Sequence, residues 1–321
     1  MDYRKLIVES GLRMANSGLT VETWGNISAR DPETGLVYLT PSAMQYDTIT
    51  VDDVVVAELD GKIVQGTRKP TIETGMHLAV YRARKDVNAV IHTHPTYSMV
   101  YSCQGKDIPL FMDEAAQIMG DTCHTTPYAL PGSQELADAV VAALGEKANT
   151  CLVRSHGAVA VGGDMDGAFR TCKVLEIAAR ILYMIEAAGG KVISDSYPTN
   201  NSDFNSYLNK AKAEGADVIF TPVSIAYATQ IISQAASLGI DIPFLGSDTL
   251  DDNMVLEAAK GTDVQLYVST FYQEGGNPEF DAGIKEYINT ASGALEANGG
   301  NDTVAAVSAM GYDAYYVALE A

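Results

Sequence analysis

Apolar residues recur along this chain with two periods, and the period predicts the element. Residues 2–17 space them as one helical face. "GLVYLTP" and "VVVAEL" alternate as strands, and "DGK" (60–62) predicts a turn into a further short strand. "TIETGMHLAVYRAR" predicts a helix with Thr71 or Thr74 as N-cap. "NAVIHTH" reads as a strand and "SQELADAVVAALGE" as a helix capped by Ser133. "TCLVRSHGAVAVG" predicts two strands broken at His156-Gly157, and "DGAFRTCKVLEIAARILYMIEAAGG" a long helix that ends in glycines.

Beyond that helix the pattern changes. "ADVIFTPV", "IPFLGSD" and "VQLYVSTFY" read as strands. They alternate with helical stretches "FNSYLNKAKAEG", "IAYATQIISQAASLG", "TLDDNMVLEAAKG" and "PEFDAGIKEYINTAS", and "TVAAVSAMGYDAYYVALEA" predicts a last helix. Alternation of this kind predicts a parallel α/β sheet covered on both faces. Composition shifts at the same place. Residues 1–190 hold 16 Lys and Arg against 23 Asp and Glu, and residues 191–321 hold 5 against 18, with no Arg, His, Cys or Trp. Two domains follow, 1–189 and 190–321.

A length of 321 residues suits one large domain or two ordinary ones. The net charge of −20, with no basic stripe, argues against nucleic acid or an anionic membrane as partner. The N-terminal stretch lacks the apolar core of a signal peptide, and no run reaches the roughly 20 apolar residues of a membrane span. A soluble, cytoplasmic protein is expected. The four cysteines form no CxxC pair and read as free thiols.

All five histidines lie before residue 190. His92 and His94 are two apart on a predicted strand and so share a face. The pair alone suits two solvent-facing histidines as well as a metal. His156, at a strand break beside glycine, and Glu73, at a helix start, enlarge the set. Three imidazoles and a carboxylate suit Zn²⁺ and leave a position open for a substrate oxygen. His77 reads as a core or surface histidine, and His124 as a loop residue. Asp113 and Glu114 read as surface charges or as residues lining a site.

The stretches "WGNISAR" (24–30), "LTPSAM" (39–44), "KPTIET" (69–74), "IHTHP" (91–95), "MDEAAQIMG" (112–120) and "RSHGAVAVG" (154–162) carry a family resemblance. The first part resembles the class II aldolase/adducin family over residues 1 to about 188. The resemblance implies an αβα sandwich assembled as a homotetramer, with sites between subunits and one Zn²⁺ per subunit. By that resemblance His92, His94 and His156 are the zinc ligands, and Glu73 is the proton carrier. Gly25 and Asn26 match phosphate-loop and substrate contacts, and Ser42 and Thr71 match hydroxyl-bearing phosphate binders. Asp113 occupies the place of a catalytic tyrosine in fuculose-phosphate aldolase. The chain departs from the aldolase pattern at Ser42-Ala43, where the family has Thr-Gly, and at Ile72, where it has a serine. The implied activity is zinc-dependent aldol cleavage or formation of a C–C bond in a ketose phosphate, through a metal-stabilised enediolate. Sugar-phosphate 4-epimerisation or dehydration are the alternatives within the family.

The second part is similar to the C-terminal half of the periplasmic binding proteins for branched-chain amino acids. This rests on "GADVIFTPVSIAYATQIISQAASLGIDIPFLGSD" and "MGYDAYYVALEA". The resemblance implies a partial periplasmic-binding-protein-like lobe, with Asp248 matching a contact to the ligand's ammonium. An aldolase-like domain joined to such a lobe suggests a chimera.

Overall fold

Polar caps fix where the helices begin. In the computed structural model, which describes residues 1–306, 308–310 and 312–313, the Asp2 carboxylate accepts from the Lys5 N–H and opens α1 (Tyr3–Ala15). The strands β1 (Asn26–Arg30), β2 (Val37–Leu39), β3 (Val55–Ala57) and β4 (Ile63–Gln65) follow. Next come α2 (Thr74–Ala83), β5 (Ala89–Thr93), α3 (Thr96–Gln104), α4 (Asp113–Ile118) and α5 (Gln134–Leu144). The unit closes with β6 (Thr150–Val153), β7 (Gly157–Gly162) and α6 (Met165–Ala187). Ser133 caps α5 as its sequence predicts, accepting from the Leu136 N–H at 3.1 Å. The cap of α2 is neither Thr71 nor Thr74 but Glu73, and its carboxylate makes no capping bond because it turns into the sheet. The strand β1 and the helices α3 and α4 carry no clear period in sequence.

The seven strands form one antiparallel sheet in the order β4-β3-β2-β1-β5-β7-β6. Alternation along the strands divides its two faces. Val90, Val159 and Val161 pack beneath α2 and α5. Ile27, Ala89, Ile91 and Ala160 pack beneath α1 and the start of α6. Leu152 and Ala158 lie against α3, α4 and the later turns of α6. Helices therefore cover both faces, the αβα arrangement that the family resemblance implied.

The chain divides into two compact units, Met1–Ser194 and a second from Asp195 onward. The second contains α7 (Asn205–Ala213), β8 (Ile219–Thr221), α8 (Ile225–Leu238), β9 (Phe244–Gly246), α9 (Asn253–Ala259), β10 (Leu266–Val268) and α10 (Pro278–Thr290). Its three strands are parallel, in the order β10-β9-β8. The row Ile219, Phe244 and Leu266 packs with side chains of α7, α8 and α9. The opposite row of the same register, Phe220, Leu245 and Tyr267, is 41%, 43% and 59% exposed. Among the described residues the expected cover on both faces is thus found on one. The helices α7, α8 and α9 pack on the row of Ile219, Phe244 and Leu266, and the other row faces solvent. The last predicted helix lies largely outside the described residues. Among the described residues no helix is long and apolar enough to cross a membrane.

Candidate metal centre

β5 carries His92 on the face that meets α2, in step with Val90. Asn26 of β1 and Val159 of β7 are its cross-strand partners. His94 lies just past the strand end, where its N–H donates to the Leu19 carbonyl at 3.0 Å. His156 sits in the turn between β6 and β7, after Ser155 at φ 54°. Gly157 makes the convergence possible. A Cβ there would lie 2.5 Å from the Thr93 carbonyl oxygen and 2.9 Å from His92 Cε1. Gly25 is under the same constraint: φ is 81°, and a Cβ would lie 2.6 Å from the His92 carbonyl oxygen.

The three imidazoles meet edge to face, with ring centroids 4.7, 4.8 and 5.0 Å apart. Each offers one ring nitrogen, and these atoms lie within 4.8 Å of one another. His92 Nδ1 donates to the Ala158 carbonyl at 2.9 Å, which leaves the Nε2 lone pair facing His94 Nε2, also at 2.9 Å. Glu73 closes the group from the N-terminus of α2. Its Oε2 lies 3.3 Å from His92 Nε2 and accepts from Asn26 Nδ2 at 2.8 Å. Its Oε1 and His156 Nδ1 stand 3.8 Å apart, both buried without a hydrogen-bond partner. Convergent lone pairs and an orphaned carboxylate oxygen fit a divalent cation that favours nitrogen ligands.

A sequence profile described as the class II aldolase and adducin N-terminal domain matches residues 5–183. The chain belongs to the class II aldolase/adducin family. It is 36% identical over 186 residues to the 5-deoxy-D-ribulose 1-phosphate aldolase of Bacillus thuringiensis serovar kurstaki, covering 58% of this chain and 86% of that protein. It is 33% identical over 191 residues to an L-ribulose-5-phosphate 4-epimerase of Salmonella typhi, covering 56% and 84%. Among solved structures, an L-fuculose 1-phosphate aldolase superposes with a TM-score of 0.58 at 30% identity, covering 61% and 91%. The Thermus thermophilus L-fuculose-1-phosphate aldolase superposes at 0.52 and 25%, covering 60% and 99%.

In this class II aldolase-family centre the electrostatics favour a charged Glu73 carboxylate and oppose charge on His94 and His156. Burial pushes the Glu73 carboxyl up. The histidine charges and the Asn26 hydrogen bond outweigh that, and it ends below its usual value. Burial first, then repulsion from His92 and His156, takes His94 down to about 3. His156 is also lowered, by burial and by His92. His77 is fully buried, and burial takes it down to about 3.

Ser42 and Thr71 lie on two segments that pair with each other. The Ser42 N–H donates to the Lys69 carbonyl at 2.9 Å and the Thr71 N–H to the Thr40 carbonyl at 3.2 Å, so residues 40–43 and 69–72 run side by side. The Thr71 hydroxyl accepts from the Glu73 N–H at 3.3 Å. Ala43 sits at φ 56°, in the left-handed region where the family pattern has glycine. Ile72 is exposed, and the Trp24 ring stands 6.1 Å from His94. Asp113 begins α4, outside the group of converging ligand atoms. Asp248 begins a 3-10 turn just after β9.

One participant reads from sequence as an ordinary histidine. His77 Nε2 lies 2.5 Å from Asn26 Oδ1, directly behind the bond from Asn26 to Glu73. Its signal was its place four residues after Glu73, on the same helix face.

Proposed function

We propose that the first unit is a zinc-dependent aldolase that makes or breaks a C–C bond in a ketose phosphate. The observation that carries this reading is the convergence of His92, His94 and His156 beside a buried Glu73 whose Oε1 has no protein partner. A bound zinc would supply Lewis-acid polarisation of substrate oxygens. Glu73 moves a proton at the reacting carbon or oxygen, with Oε1 as the working atom and Oε2 held by Asn26. Asp113 is the second proton-handling group. Gly25, Asn26, Ser42 and Thr71 lie on segments that offer N–H and O–H donors to a phosphate. The sugar phosphates in the printed names of the relatives support that substrate class. Assembly as a homotetramer belongs to the same reading.

Metal analysis of the purified chain, joined to a sugar-phosphate screen, tests it. The expected result is one zinc per subunit, lost in His94→Ala, with C–C cleavage of a ketose 1-phosphate. Turnover that retains the carbon skeleton and inverts one centre would replace aldolase by epimerase. Stoichiometric zinc in a His92/His94/His156 triple variant would overturn the site.

For the second unit we propose a partial amino-acid-binding lobe, joined to the aldolase-type domain in a chimeric chain. Ser224 and Asp248 both follow the carboxyl ends of parallel strands, where α/β sheets bind ligands. The bare row of Phe220, Leu245 and Tyr267 suits a lobe with incomplete cover. Calorimetry of the full chain with leucine and valine is expected to show binding that Asp248→Ala removes. Silence with both would overturn this assignment.

A further inference from the structure

Glu73, His77 and Tyr81 stand at i, i+4 and i+8 along one face of α2 and its cap. Asn26 and Ser28 stand at i and i+2 on one face of β1. The two rows interleave into a ladder. Tyr81 OH lies 2.8 Å from Ser28 Oγ, which lies 2.6 Å from His77 Nδ1. His77 Nε2 lies 2.5 Å from Asn26 Oδ1, and Asn26 Nδ2 lies 2.8 Å from Glu73 Oε2. All five residues are buried.

With a neutral His77 ring, the chemistry of the groups sets one direction for the hydrogens. An ionised carboxylate only accepts, so Asn26 turns its NH₂ to Glu73 and its carbonyl oxygen to His77. That oxygen only accepts, so His77 carries its hydrogen on Nε2. Nδ1 is then an acceptor and takes the Ser28 hydroxyl hydrogen, and Ser28 Oγ takes the one from Tyr81. Every hydrogen points toward Glu73, and each link orients the next.

We infer that His77, held by Ser28 and Tyr81, is a positioning residue that locks the Asn26 amide and through it the Glu73 carboxylate. The inference rests on the reading of Glu73 as proton carrier. Without the His77 donor, the Asn26 amide is free to turn over and set its oxygen against Glu73. The carboxylate would then swing, and Oε1 would lose its place 3.8 Å from His156 Nδ1.

Two measurements separate this inference from the proposed function. Long-range ¹⁵N–¹H spectra of the histidine-labelled full chain are expected to show His77 protonated on Nε2 alone. A ring protonated on Nδ1 would overturn the ladder whatever the enzyme turns over. In kinetics, His77→Leu is expected to lower kcat by about 10- to 100-fold, with KM within about twofold and zinc content unchanged. His77→Gln restores an N–H near the Nε2 position and is expected to recover most of kcat. An unchanged kcat in His77→Leu overturns the positioning role. If His77→Leu does not fold, Ser28→Ala substitutes for it, with zinc content unchanged and a several-fold lower kcat expected; an unchanged kcat there overturns the positioning role. If the wild type turns over no sugar phosphate, the functional reading fails by itself. A crystal structure of His77→Leu then decides the ladder: a displaced Glu73 carboxylate supports it, and an unmoved one overturns it.

Discussion

Single residues here carry backbone and burial costs with measurable consequences. Ala43 holds φ 56°, which costs an L-residue about 1–2 kcal/mol relative to its ordinary conformations. Ala43→Gly is therefore expected to raise stability by about 1 kcal/mol net of the entropy glycine adds to the unfolded chain, measured by urea unfolding. His77 gives a pH dependence. Its folded-state value lies near 3, against 6.5 for the free side chain, because it is buried. Below pH 6.5 the unfolded chain takes a proton there that the folded chain refuses. Stability from this residue is thus full above pH 6.5 and falls as pH drops toward 3. In metal-free protein, His77→Gln should flatten the slope of stability against pH between 4 and 6 by up to about 1.4 kcal/mol per pH unit.

At the scale of elements, the histidine strand is held by a cap from elsewhere in the chain. α3 begins two residues after His94, and its own N-cap, Pro95, has no side-chain oxygen to offer. Glu176 of α6 takes that place. Its carboxylate accepts from the Tyr97 N–H at 2.8 Å, the Ser98 N–H at 2.9 Å and the Ser98 hydroxyl at 2.8 Å. Glu176→Ala is expected to cost about 2 kcal/mol in urea unfolding, and to speed hydrogen exchange at Tyr97 and Ser98 first. If those amides exchange no faster than in wild type, the cap is not what holds the helix start. No sequence pattern announces this, since Glu176 lies 78 residues beyond Ser98.

Across the whole molecule, the two units differ in how completely they cover their sheets. The first packs helices against both faces, and the second, among its described residues, leaves Phe220, Leu245 and Tyr267 in a row at the surface. An apolar row of this kind favours self-association. Leu245→Lys should reduce ANS binding and concentration-dependent association in sedimentation, while changing stability by no more than about 0.5 kcal/mol. Equal association by the variant would place the sticky surface elsewhere.

The sequence by itself determined the strands that alternate, the helix capped by Ser133, the break at His156-Gly157 and the residue types of the centre. Those features are local: a period of two, a capping hydroxyl and a glycine each act within a few residues. It also carried the family, because six short motifs stand in order along one chain. Tertiary structure decided what depends on distant partners. It showed that Gly25 and Gly157 are needed for close approach to His92, that Glu73 turns from its helix end into the sheet, and that His77 stands behind Asn26. Among the described residues it also left Phe220, Leu245 and Tyr267 exposed on one face of the second sheet, although the alternating pattern predicted cover on both. Period tells which side chains share a face, and only the packing of whole elements tells what that face meets.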